Sequence, residues 1–112
     1  MPSIRQEKVA QLLKRELGIF FQQEARNLFR GAMITPTVVQ ITPDLKIARV
    51  YISIFLPGGD KSEMLELVRA QAWQVRRDIG NKVAKQLRVV PEFRFQEDDS
   101  LDYAERIDEL LS

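Results

Sequence analysis

Residues 69–95 read RAQAWQVRRDIGNKVAKQLRVVPEFRF, a long basic helix that runs through one glycine and turns at Pro91 into a short strand. At 100° per residue, Met64, Val68, Ala72, Val75, Ile79 and Val83 fall on one apolar stripe that faces a core, while Gln74, Arg77, Asn81, Lys85 and Arg88 lie opposite. From Arg69 to Arg94 there are seven positive side chains (Arg69, Arg76, Arg77, Lys82, Lys85, Arg88, Arg94) and two negative ones (Asp78, Glu92), a local balance of +5. The polar side of the helix is cationic. Such a face fits a polyanionic partner.

Gly80 is the odd residue of this helix, since a glycine in a helix interior costs about 1 kcal/mol relative to alanine and invites a kink or a close backbone approach. Two readings compete: a packing glycine, or a helix-kink-helix corner at which the backbone, Arg77 and Lys82 meet phosphate. Trp73 lies off the apolar stripe and is read as a core or flank residue before a base-stacking one.

Outward from this helix, Phe93 and Phe95 alternate with Glu92, Arg94 and Gln96 as a strand, because Pro91 pushes the residue before it out of the α region. Upstream, Pro57-Gly58-Gly59 is a loop, and Asp60 or Ser62 can cap the helix. Before it, Ala48, Val50, Ile52 and Ile54 alternate with Arg49, Tyr51, Ser53 and Phe55, the clearest strand in the chain. Residues 34–42 carry Thr37, Val39 and Ile41 at strand spacing, with Pro36 near the start. Thr42-Pro43-Asp44 is turn chemistry, so the two strands form an antiparallel hairpin. Ser3 caps a first helix reaching to about Ala25, with Val9, Leu13, Leu17, Phe20 and Glu24 on one stripe and Leu12 and Phe21 beside it; residues 26–33 are a loop containing Gly31. Lys8, Arg15 and Arg26 occupy a separate stripe, either a solvated face or an extension of the basic surface. Ser100 caps a last short helix in which Tyr103, Ile107 and Leu110 share a side.

The 112 residues contain neither cysteine nor histidine, which excludes disulfides, thiolate zinc sites and the commonest general bases and nucleophiles. The chain is therefore not expected to be an enzyme, and no cofactor or metal is expected. No apolar run approaches a membrane span or a signal peptide, which points to a cytoplasmic protein. The net charge is only +1 because residues 97–112 hold seven acids and one base, offsetting the basic helix. One domain spanning residues 1–112 is expected.

The order helix, strand, strand, interrupted helix, strand, short helix defines an α+β fold with helices on one face of a three-stranded sheet, resembling a type II KH domain. Val50, Ile52, Phe93 and Phe95 meet the helices, leaving Gln40, Arg49, Tyr51 and Arg94 outward.

The chain also resembles the ribosome-binding factor A family of small bacterial assembly factors. The resemblance rests on RQEKVA at residues 5–10, ITPDLKIARVYIS at residues 41–53, LRVVPEFRF at residues 87–95 and DDSLDY at residues 98–103, and it covers nearly the whole chain. It implies a KH-like fold without catalytic activity that binds free or immature 30S subunits, contacts 16S rRNA and assists late maturation, including processing of the rRNA 5′ end. It also implies a helix-kink-helix at an Ala-x-Gly; aligned on residues 87–92, that motif falls on Trp73-Gln74-Val75, and the helix's glycine is Gly80 instead. On this reading Arg76, Arg77, Lys82, Lys85 and Arg88, helped by Lys8 and Arg15, neutralise rRNA phosphates. A monomer without small-molecule substrate or membrane contact is expected. The alternative is a protein-interaction adaptor whose basic helix docks an acidic partner.

Overall fold

The computed structural model describes residues 2–98. The elements run α1 (Ile4–Leu28), β1 (Met33–Ile41), β2 (Ile47–Phe55), α2 (Lys61–Ala70), α3 (Ala72–Val83) and β3 (Glu92–Glu97). The sheet order is β1-β2-β3, with β1 antiparallel to β2 and β3 parallel to β2. This is the expected α+β arrangement; the short helix expected after Ser100 lies outside the described residues.

α1 begins at a capping box in which the Ser3 hydroxyl accepts from the Gln6 N–H and the Gln6 side chain accepts from the Ser3 N–H. It runs one turn beyond the expected end near Ala25, because Phe29, just past its last turn, is fully buried and draws the chain inward. The chain then reverses through Arg30 and Gly31, with φ of 53° and 82°, and the Gly31 N–H closes on the Ala25 carbonyl at 2.7 Å. Glycine suits that left-handed step.

In β1 the register shifts between Pro36 and Val38, a bulge that absorbs the residue after a proline lacking a donor. β1 is an edge strand, where that loss is tolerated. The inward faces of the sheet, including Ala48, Val50, Ile52, Phe93 and Phe95, are buried against Leu13, Leu17, Val68, Val75 and Ile79 of the helices. Arg49, Gln40 and Arg94 are exposed and Tyr51 is half-buried on the other face. Phe21 sits at the centre of the core, with ring centroids 5.5 Å from Phe29 and 5.9 Å from Phe95.

The interrupted helix breaks at Gln71, not at Gly80. Gln71 has φ −92° and ψ 6°, and its N–H reaches both the Leu67 and Val68 carbonyls at 3.1 Å. The cause lies in the apolar spacing. Positions 64, 68, 72, 75, 79 and 83 average about 3.8 residues apart, so a straight helix of 3.6 residues per turn would carry the last about 100° round from the first. One break lets Met64 and Val68 of α2, and Val75, Ile79 and Val83 of α3, all be buried in the core. Gly80 stays helical and makes no kink, and a Cβ built there would meet only Val90 Cγ2, at 3.4 Å.

α3 also ends at Val83, eight residues before Pro91. The Gln86 and Leu87 N–H groups fold back onto the Val83 carbonyl at 2.9 and 2.8 Å. Residues 84–91 return the chain to the start of β3, seating Val90 against Gly80. Lys85 and Arg88 thus stand on this return loop and not on a helix face.

Candidate nucleic-acid interface

The five cations expected on the long helix are all exposed, but they fall into two groups. Arg76, Arg77 and Lys82 project from α3, while Lys85 and Arg88 project from the return loop. Arg76 is held: its Nε and Nη2 donate to the Val90 carbonyl at 3.1 and 3.0 Å, tying the loop to the helix. Arg77 lies 3.6 Å from Asp78 and 5.3 Å from the centre of the Trp73 ring. Lys82 reaches Gln23 of α1 at 3.4 Å. Lys85 and Arg88 make no side-chain hydrogen bond or ion pair to another described residue, and neither does Lys8. Their charge is unspent.

Lys8 and Arg15 stand on α1, N-terminal to the point where it meets Lys82. Gln23, where α1 meets Lys82, is eight residues from Arg15, which places Arg15 about 12 Å along and about 80° round the helix. Lys8 is about 22 Å from Gln23 along the same axis. Arg15 lines a groove between α1 and the β1 edge with Gly18, Ile19, Met33 and Pro36.

A groove of about 560 Å³ opens beside the Gln71 break, lined by Ala72, Trp73, Arg76, Val89, Val90, Lys46, Glu92 and Phe93. Lys46 enters because β3 runs parallel to β2: Ile47 pairs with Glu92, and the Glu92 N–H donates to the Lys46 carbonyl at 2.8 Å. A second concavity shares Ala72, Glu92 and Phe93 and continues along the β3 edge past Arg69 and Arg94. The Glu92 and Asp98 N–H groups point to β2, so Phe93 and Phe95 turn their backbone groups to the open edge. There Arg69 Nε donates to the Phe95 carbonyl at 3.0 Å and fixes α2 to the sheet.

Trp73, expected in the core or on its flank, is instead 63% exposed, with Arg77 one turn on over its ring, because the break at Gln71 turns the first turn of α3 outward there. Lys46 left no signal in the sequence, since only the parallel pairing of β3 brings the hairpin turn to this groove. Among the described residues no group of His, Cys, Asp or Glu could hold a metal ion, and no helix is long and apolar enough to cross a membrane.

A sheet covered on one face by an interrupted helix pair, with cations along the second helix and a groove at the interruption, defines a small KH-like α+β domain. Comparison with known proteins narrows this. The family model for ribosome-binding factor A matches residues 5–111, and the chain belongs to that family. It is 40% identical over 112 residues to ribosome-binding factor A of Cytophaga hutchinsonii, covering all of this chain and 84% of that relative. The crystal structure of ribosome-binding factor A from Thermus thermophilus superposes with a TM-score of 0.68 at 17% identity, covering 82% of this chain and 94% of that one. A Thermus thermophilus homology model fitted into a cryo-EM map of a 30S complex of the factor superposes with a TM-score of 0.61 at 21% identity, covering 79% and 89%.

Proposed function

We propose that this protein binds the free or immature 30S ribosomal subunit through 16S rRNA and assists its late maturation, including processing of the rRNA 5′ end. The observation that carries the reading is the family match across residues 5–111. The related Thermus protein fitted into the map of a 30S complex supports the choice of subunit. The protein acts in the cytoplasm as a single-domain monomer spanning residues 1–112, by binding and not by catalysis.

The contact is electrostatic. Arg77, Lys82, Lys85 and Arg88 face solvent and carry the phosphate contacts, with arginine suited to a bidentate grip and lysine to a point charge. Arg76 adds positive potential while holding the return loop in place.

Co-sedimentation with free small subunits and with whole ribosomes tests this, comparing the wild type with Arg77→Glu/Lys85→Glu. The expected result is binding to free small subunits, weakened at least tenfold in the variant. Absence of subunit binding at low salt overturns the reading. Retention on the subunit fraction after nuclease digestion of its RNA would favour a protein partner instead.

A further inference from the structure

We infer that the Trp73 indole is a stacking platform for one unpaired nucleobase of single-stranded RNA, the neighbouring phosphates being taken by Lys46 and Arg76 on the rim of the same groove. The inference rests on the reading of this surface as an RNA interface and adds a ligand and a residue to it.

Trp73 stands two residues past the Gln71 break, in the first turn of α3, which contains no acidic residue. An aromatic ring of this size normally gains its stability by burial, yet here it is left 63% exposed. The ring does not dangle: the Arg77 guanidinium carbon lies 5.3 Å from its centre, one helical turn on, a cation–π contact that orders it. Val89, 68% exposed, lines the same groove and adds an apolar side chain to it. Around the groove the charge is positive. Lys46 lines it, and Arg76, with Nε and Nη2 on the Val90 carbonyl, keeps both Nη1 donors for a ligand. Glu92 is the one acid in the lining.

An ordered indole beside an apolar wall and two cations matches the chemistry of a nucleotide, which has a flat π-face next to an anion. A duplex hides its base faces by stacking, so the ligand is single-stranded. An acidic peptide would satisfy the cations and leave the indole and Val89 uncovered. Because every base has a π-face, the platform tolerates sequence differences.

Trp73 is the protein's single tryptophan, so its fluorescence reports this site alone. The experiment titrates the full chain with a short unstructured RNA and with an abasic chain of the same length, measuring fluorescence and affinity for wild type, Trp73→Phe and Trp73→Ala. The expected result is quenching by the RNA and none by the abasic chain. Trp73→Ala should bind the RNA about five- to 150-fold more weakly, the range set by the loss of one stacked base, with an unchanged melting temperature. Trp73→Phe should recover most of the affinity. Equal quenching by both chains, or RNA affinity within twofold for Trp73→Ala, overturns the inference.

Co-sedimentation of the same variants separates this outcome from that of the wider reading. Wild-type subunit binding that Trp73→Ala matches leaves the subunit interaction standing and removes the platform. Loss of subunit binding in Trp73→Ala without any quenching by RNA would place the indole on a ribosomal protein, which also overturns the inference.

Discussion

Asp44 shows how a single side chain fixes the approach of β2. Its Oδ1 accepts from the Thr42 hydroxyl at 2.6 Å and from the Lys46 N–H at 3.0 Å, which lets Leu45 adopt a φ of 62° and delivers Lys46 to the rim of the groove. The Thr42 hydrogen bond first, and then the Lys46 N–H, hold the Asp44 carboxyl below its ordinary value. A carboxylate whose pKa is lower folded than unfolded contributes stability that is fully present above the unfolded value, about 3.9, and is lost as pH falls through the folded one. Asp44→Asn should therefore melt below the wild type at pH 7, with the gap closing as pH is lowered beneath 4. Thermal unfolding by circular dichroism at pH 7, 4 and 2 measures it, and a gap that stays constant over that range would show that the charge is not involved.

At the level of elements, the two halves of the interrupted helix explain what the sequence could and could not reveal. The buried faces were legible: alternation in residues 48–55 and 92–96, and helical spacing of Val9, Leu13, Leu17 and Phe20, place the core residues where they lie. The corner was not, because no proline or glycine marks Gln71 and its cause is the drift of the apolar stripe over a twisted sheet. The return loop was hidden for a similar reason. Ala84, Lys85, Gln86, Leu87 and Arg88 are good helix formers, yet α3 ends at Val83 and the chain turns back to seat Val90 beside Gly80. A direct consequence concerns Gly80. Alanine there puts Cβ in ordinary contact with Val90 and removes a helix-interior glycine, so Gly80→Ala should stabilise the protein by about 0.5–1 kcal/mol, a rise of a few degrees in Tm. Subunit binding should not change. Lower stability, or weaker binding at equal stability, would mean that the glycine is needed for a close approach after all.

Across the whole molecule, charge is distributed by position and not by amount. The net charge is +1, yet Arg77, Lys82, Lys85 and Arg88 are exposed on α3 and its return loop, while Lys8 and Arg15 stand apart on α1. If those four, with Lys46 and Arg76 at the groove, neutralise six phosphates, affinity for the small subunit should fall about a thousandfold between 50 and 200 mM salt, since each phosphate contributes about 0.7–0.9 to the log–log slope. Neutralising Lys85 and Arg88 together with glutamine should reduce that slope by about 1.4–1.8, because both side chains are unengaged in the free protein and their charge is available to RNA. Lys8→Gln/Arg15→Gln should leave the slope within about half a unit of the wild type, as these residues stand on α1, with Arg15 at the groove beside the β1 edge, and not on α3 or its return loop. Binding measured at five or six salt concentrations for the three proteins distinguishes the possibilities. Equal losses of slope from both pairs would show that the subunit wraps α1 as well, and would extend the interface from the helix corner to the full length of the first helix.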